Sequence, residues 1–256
     1  MKFANKLRAT FSVAGTAIVA LAMAPAAHAV GTAAGDAIDN VATVGYDVGG
    51  ISQTPIESSP TGNSTPGANN GAATSFVVDN RVDLAVVEVG GATTPVNPGE
   101  ANVVTTFQIT NTGNAAQGYA LSAVNLTATD PDVFGNTDST DVNNIRVFED
   151  TDGSGDFSAG DQPFVDTLAA DASVTVFVVA DVPIGATNGD FANVRLTATT
   201  AVAGTSGGTV QAASTGGDTT GVDVVFGDAG NDGLESADDG YEVSSAALTV
   251  TKAEAL

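Results

Sequence analysis

The chain contains no cysteine and no tryptophan, and its one histidine is His28. Without cysteine there is neither a disulfide framework nor a thiolate nucleophile. Without another histidine, the common zinc sites and Ser-His-Asp triads are excluded once residue 28 is removed. Paired carboxylates remain chemically able to cleave a glycoside, but the 30 acidic residues single out no pair. We therefore predict no catalytic residues and a protein that is not an enzyme.

Positive charge is also scarce. Seven Lys and Arg residues face 30 Asp and Glu residues, which gives a net charge of −23. Loss of Lys2, Lys6 and Arg8 with the N-terminal segment would leave four cations against the 30 acids, a net charge of −26. Such a surface repels nucleic acid and anionic lipid and attracts cations. We expect no nucleic-acid partner, and metal binding would relieve the repulsion within the folded chain.

The first 29 residues have the order of a secretory signal. The three cations precede an apolar run over residues 11–24, and Ala27-His28-Ala29 supplies the small-x-small cleavage pattern. The apolar run is too short to span a bilayer, although a short membrane anchor is the alternative interpretation. We expect a cleaved signal helix over residues 1–29, no transmembrane segment in the mature chain, and a secreted or cell-surface protein that starts at Val30.

The rest of the chain favours strands over helices. Val103, Thr105, Phe107 and Ile109 alternate onto one face, as in a half-buried strand. Clusters of Gly, Pro, Asn and Asp separate the strand-like runs, and no run has helical spacing with caps. We predict an all-β sandwich or barrel of about 8–10 antiparallel strands. The predicted strands are 37–48, 75–89, 102–110, 117–128, 144–148, 173–182, 191–202, 222–226 and 240–251.

Residues 49–75 differ from their surroundings, because they are almost entirely Gly, Ser, Thr, Pro and Asn. A segment of this composition buries too little apolar area to offset its ordering entropy, which predicts a flexible linker or a long surface loop. The expected organisation is therefore a signal over 1–29, an N-terminal strand within 30–48, the linker over 49–75 and the sandwich over 76–256.

Residues 150–161 (DTDGSGDFSAGD) fit the frame of a twelve-residue calcium loop. A glycine at position six permits the sharp turn, and alternate oxygen-bearing side chains suit Ca²⁺. The strand predicted before the loop excludes a helix–loop–helix EF-hand. A solvated acidic turn is the alternative to a metal site. The candidate Ca²⁺ ligands are Asp150, Asp152, Ser154, Asp156 and Asp161.

Residues 228–239 (DAGNDGLESADD) repeat this pattern more weakly. Asp228, Asp232 and Asp239 occupy positions one, five and twelve of the same frame, but position three is Gly230, which has no side-chain ligand. These three residues form a second candidate Ca²⁺ site.

Residues 106–114 read TFQITNTGN. This run resembles the TFxVTNTGN strand and turn of conserved-repeat modules in bacterial secreted and cell-surface proteins. The segments IRVFEDTDGSGDFSAGDQ and AIDNVATVGYDVGG are similar to the same group, so that the resemblance covers roughly residues 31–252. It implies an immunoglobulin-like sandwich with structural or adhesive work outside the cell, and it supplies no catalytic residues.

Two functions follow as hypotheses. The first is a calcium-stabilised structural subunit of an extracellular fibre, sheath, surface coat or matrix. In this hypothesis the strand at 37–48, carried on its linker, pairs with a neighbouring copy's sheet by strand addition; pairing within its own domain is the alternative. The second is a soluble binding module for surface polysaccharide or a partner protein, which would require a cleft or an exposed aromatic face. The sequence names no specific ligand.

Overall fold

A computed structural model describes residues 31–214, 221–245 and 251–252. These residues form 17 strands and no helix, so the fold is all-β, as predicted. The predicted signal over 1–29 lies outside the described residues, and nothing helical within them is long and apolar enough to cross a membrane. The described chain forms two compact units, 31–79 with 221–222, and 80–214 with 223–245 and 251–252.

The first unit consists of three short antiparallel strand pairs. Gly49 and Gly50 connect the central pair with φ angles of 62° and 84°, the two positive values that a type I′ hairpin turn requires. No residue between 31 and 79 is buried. The pairs are β1 (Ala37–Asn40) with β6 (Thr74–Val77), β2 (Thr43–Val44) with β5 (Ile56–Glu57), and β3 (Asp47–Val48) with β4 (Ile51–Ser52).

The predicted single strand at 37–48 is thus divided into three strands. Each finds its partner within residues 51–77, the range that largely coincides with the predicted linker. The many Gly, Ser, Pro and Asn residues of this range favour turns. The few apolar residues between them, such as Ile51 and Ile56, lie in the two-residue strands β4 and β5.

Two sheets dominate the second unit. The four-stranded sheet has the order β12-β14-β10-β8, with all neighbours antiparallel, and the five-stranded sheet has the order β13-β11-β15-β17-β9. The first contains β8 (Leu84–Glu88), β10 (Val103–Asn111), β12 (Asn143–Glu149) and β14 (Ser173–Asp181). The second contains β9 (Thr94–Val96), β11 (Gln117–Asn125), β13 (Phe164–Leu168), β15 (Phe191–Ala201) and β17 (Leu234–Val243).

Both sheets contribute to one hydrophobic core, an arrangement consistent with a β-sandwich. The predicted alternation along β10 is confirmed, since Val103, Thr105, Phe107 and Ile109 are all buried. In the other sheet Val194, Leu196 and Ala198 of β15 belong to the same core. β14 lies between two neighbours and buries residues on both of its faces, which explains its nearly continuous apolar sequence.

Several sequence-based expectations about the strands are wrong. β9 and β13 were not expected. β17 occupies Leu234–Val243 and overlaps the strand predicted over 240–251 only at its first four residues, while residues 246–250 of that prediction lie outside the described residues. Not every pair is antiparallel, because β9 runs parallel to β17, and β7 (Asn80–Val82) runs parallel to β16 (Val224–Phe226). The chain moves from one sheet to the other between β8 and β9, and this crossing places a short strand parallel to the edge of the second sheet.

The NTGN turn at residues 111–114 is held by hydrogen bonds of the Asn111 side chain. The buried Asn111 donates from Nδ2 to the carbonyl oxygens of Ala115 and Leu168 at 2.8 and 2.9 Å, and its Oδ1 accepts the Gly113 N–H at 3.0 Å. A side chain on Gly113 would place its Cβ 2.4 Å from the Arg81 carbonyl oxygen, so this position requires glycine. The motif therefore connects the end of β10 to β13 and β7.

Candidate metal centre

The acidic loop at Asp150–Asp161, here called the first acidic loop, connects β12 to β13. Its base is closed by a bridge in which Glu149 N–H donates to the Gln162 carbonyl oxygen at 2.7 Å. Asp150 N–H donates to the Thr175 carbonyl oxygen of β14 at 3.0 Å. The Phe157 ring stacks against Phe148 of β12, with centroids 4.8 Å apart. The loop is therefore held on the four-stranded sheet by both backbone and side-chain contacts.

Three carboxylates converge within this loop. One oxygen each of Asp150, Asp152 and Asp161 lies within 4.8 Å of the other two. Oxygens that bind a single Ca²⁺ at about 2.4 Å lie no more than about 4.8 Å apart, so this spacing matches ligands of one ion. Asp161 is buried, Asp150 is half-buried and Asp152 is exposed, which leaves one side of the cluster open to solvent. The donor set consists of hard oxygens and fits Ca²⁺.

Backbone N–H groups fix the orientation of these carboxylates. Asp150 accepts the Ser154 and Gly155 N–H groups, one on each oxygen, both at 3.0 Å. Asp161 accepts the Ser158 N–H at 2.7 Å. The positive φ of 79° at Gly155 permits the turn that directs these donors inward. The loop is thereby organised around its carboxylates by local hydrogen bonds.

The electrostatics of the cluster differ between its rim and its base. The neighbouring Ser154, through its side chain and its backbone N–H, holds the pKa of the exposed Asp152 below its ordinary value. Glu149, at the end of β12, has a raised pKa because it is partly desolvated and lies near Asp166, Asp150 and Asp161. The base of the loop therefore accumulates negative charge that a cation would neutralise.

The fourth predicted acidic ligand of this loop, Asp156, is not in the group of three acids found among the described residues, and its side chain is exposed. The predicted ligand Ser154 donates from Oγ to the Asp156 carbonyl oxygen at 2.9 Å. Sequence reasoning missed the contribution of Phe157, whose ring position could not be inferred from the loop frame.

The second candidate, Asp228–Asp239, is not one loop. Asp228 accepts the Asp232 and Gly233 N–H groups at 3.1 and 3.0 Å, which repeats the turn at Asp150. β17 then begins at Leu234 and carries Asp239 about 17 Å further along an extended strand. The structure therefore does not bring Asp239 to Asp228 and Asp232, and the twelve-residue frame fails because the chain becomes a strand at its seventh position.

Asp239 lies in the middle of β17, paired with Val194 of β15, and is 2% exposed. Burial raises its pKa to about 7, with a further contribution from the nearby Glu88, while the Gly240 N–H opposes the shift. This carboxyl group holds its proton to nearly neutral pH, a property that a loop interpretation of the sequence did not anticipate.

Comparisons with known proteins do not identify the chain. No family model and no curated protein matches the sequence. One solved structure that it resembles is that of AvmM, which catalyses macrocyclization in alchivemycin A biosynthesis. The TM-score is 0.32 at 13% identity, over 68% of this chain and 95% of that one. A likeness at this level carries no argument about this chain's activity.

Proposed function

We propose that this chain is an exported, calcium-stabilised structural or adhesive protein of the bacterial cell exterior. The convergence of Asp150, Asp152 and Asp161 supports the proposal, because three hard-oxygen donors within 4.8 Å of one another have the spacing that ligands of one Ca²⁺ would have. The first acidic loop projects from two sheets that share one core, so a bound ion would stabilise the folded state of the whole unit.

The strand order supports the immunoglobulin-like part of the proposal. In a constant-type immunoglobulin domain, strands A, B, E and D form one sheet and C, F and G the other. If β8, β10, β11, β12, β14, β15 and β17 are taken as A to G, the two sheets have the orders D-E-B-A and C-F-G. β9 and β13 are then additional strands. The conserved disulfide and tryptophan of antibody domains have no counterpart, since the chain contains neither residue.

The charge of the chain supports an exterior role for calcium. Thirty acids against seven cations create repulsion that a divalent ion relieves, and Ca²⁺ sites of modest affinity suit calcium-rich extracellular surroundings. The resemblance of TFQITNTGN to bacterial surface modules points to the same location. Residues 1–29 would direct export and be removed near Ala29.

Strand addition by residues 37–48 remains part of this proposal. Among the described residues, β1, β2 and β3 each pair on one side within a two-stranded ribbon, and a strand from another copy would add to the opposite edge. If polymers form without residues 30–48, strand donation by this segment is wrong.

The experiment that tests the function uses protein recovered from the culture fluid of its own host. Mass spectrometry should find Val30 as the first residue, and size exclusion with electron microscopy should find larger assemblies in calcium than in EDTA. Retention of Met1 would overturn export. Identical monomers in both conditions would overturn calcium-dependent assembly and favour a soluble binding module.

A further inference from the structure

The chain contains two Asn–Gly sequences, Asn70-Gly71 and Asn188-Gly189. In such a pair the glycine nitrogen can attack the side-chain amide carbon of the asparagine, because glycine has no Cβ that hinders the approach. The reaction needs an asparagine side chain that can move and a base that removes the proton of the glycine N–H. The two sequences differ in both respects.

Asn70-Gly71 lies in the loop between β5 and β6. Asn70 is exposed, and its Nδ2 donates to the Pro66 carbonyl oxygen at 3.0 Å. The Gly71 N–H donates to Oε2 of Glu57 at 3.2 Å, a distance at which a carboxylate can accept the proton. No residue between 31 and 79 is buried, so little packing resists movement of the Asn70 side chain towards the nitrogen.

The position after Asn70 is restricted to glycine. A Cβ at Gly71 would lie 2.5 Å from the Ser58 carbonyl oxygen and 2.6 Å from the Glu57 Cβ. The same close approach brings the Gly71 N–H within reach of the Glu57 carboxylate. Packing beside β5 therefore keeps an unhindered nucleophile and a base together.

Asn188-Gly189 is also exposed, but both of its reacting groups are held. The Gly189 N–H donates to the Val243 carbonyl oxygen of β17 at 2.8 Å, and Oδ1 of Asn188 accepts the Ser245 N–H at 2.9 Å. A neutral carbonyl oxygen is a far weaker base than a carboxylate, and the asparagine side chain must break its own hydrogen bond before it can approach the nitrogen. This sequence is a matched control within the same molecule.

We propose that Asn70 is a self-modification site at which Glu57 promotes deamidation through a succinimide. The Glu57 carboxylate takes the proton of the Gly71 N–H, and the nitrogen forms a bond to Cγ of Asn70. The Cγ–Nδ2 bond then breaks, and Nδ2 leaves as ammonia with the proton that Glu57 returns. Water opens the five-membered imide at either carbonyl and gives aspartate or isoaspartate at position 70, so the reaction requires no oxidant or reductant.

The product changes the loop between β5 and β6 in two ways. It places a new negative charge on the residue next to the contact between Gly71 and Glu57, in a chain that already has a net charge of −23. Isoaspartate also adds a carbon to the backbone, just before the Ala72 N–H that donates to the Ser58 carbonyl oxygen at 3.0 Å. Both changes oppose the close approach at Gly71, so conversion should loosen this loop.

The first test follows both sites in the purified full-length chain at neutral pH by peptide mass spectrometry. Asn70 should convert roughly tenfold faster or more than Asn188. Glu57→Gln keeps an acceptor for the Gly71 N–H but removes the base, and should slow conversion at Asn70 roughly tenfold while leaving Asn188 unchanged. An equal or faster rate at Asn70 in this variant would overturn the role of Glu57.

The second test compares the folded chain with the chain unfolded in guanidinium chloride, and so does not depend on how a variant folds. Unfolding separates Glu57 from Gly71, so conversion at Asn70 should be faster in the folded chain than in the unfolded one. Conversion at Asn188 should show the opposite order, because folding holds its reacting groups. Slower conversion of Asn70 in the folded chain would overturn the proposal, whatever calcium does to the melting temperature.

Discussion

The turns at Asp150–Gly155 and Asp228–Gly233 are built alike and have different surroundings. In each, an aspartate accepts the N–H groups four and five residues ahead, and the fifth residue is a glycine with positive φ. After the first turn the chain stays in a loop that returns Asp161 to Asp150. After the second it enters β17 and buries Asp239 in the sheet. The hydrogen bonds to the first aspartate therefore determine the turn in both regions. The residues after the turn determine whether further carboxylates come close to that aspartate.

The largest expected difference between the two regions concerns pH and Asp239. Its pKa is about 7 in the folded state, against about 3.9 for an unperturbed Asp, so the folded state binds the proton more tightly. The stability that this group contributes is present below about pH 4 and is lost as the pH rises towards 7. Over that range the loss is on the order of 3–4 kcal/mol.

Asp239→Asn should remove this dependence. Urea unfolding at pH 4.5 and 7.5 in EDTA should show a stability gain from the substitution that is larger at pH 7.5. Asp152→Asn serves as the control, since Asp152 is exposed and its pKa is lowered. Equal effects of Asp239→Asn at both pH values would show that the burial of this carboxyl group does not control its ionisation.

The two turn glycines should respond differently to substitution. A Cβ at Gly233 would lie 2.4 Å from Thr200 Oγ1, in addition to the strain of its positive φ, whereas a Cβ at Gly155 would meet open space. Gly233→Ala should therefore cost about 3 kcal/mol and Gly155→Ala about 1–2 kcal/mol. Denaturant unfolding of both variants in EDTA measures the difference, and similar costs would contradict the packing described around Gly233.

The sequence predicted those features that depend on local patterns. Alternation along β10 identified its buried face, and the spacing with a glycine at position six identified a loop in which three of the candidate ligands converge. Features set by distant partners were not predictable. β9 has three residues, one of them Pro95, and is a strand only because β17 lies beside it. The sequence pattern predicts Asp239 as a loop ligand, because the pattern does not show that Asp239 pairs with Val194 in a sheet.

The first acidic loop should confer a calcium effect that the second turn does not. Asp150→Ala combined with Asp152→Ala removes two of the three converging carboxylates, so the difference between melting temperatures in calcium and EDTA should largely vanish. Asp228→Ala removes a buried turn acceptor and should lower both melting temperatures while keeping most of their difference. A calcium effect lost equally in both variants would contradict the assignment of the site to the first loop.

The most direct test of the account is thermal unfolding of the unsubstituted chain at low salt in calcium, magnesium and EDTA. At a hundredfold excess over the dissociation constant, Ca²⁺ should stabilise the fold by about 2.7 kcal/mol, which raises the melting temperature by roughly 5–11 °C. Magnesium should give a much smaller shift, since it demands tighter octahedral geometry. Superimposable curves in calcium and EDTA would show that Asp150, Asp152 and Asp161 form only a solvated turn.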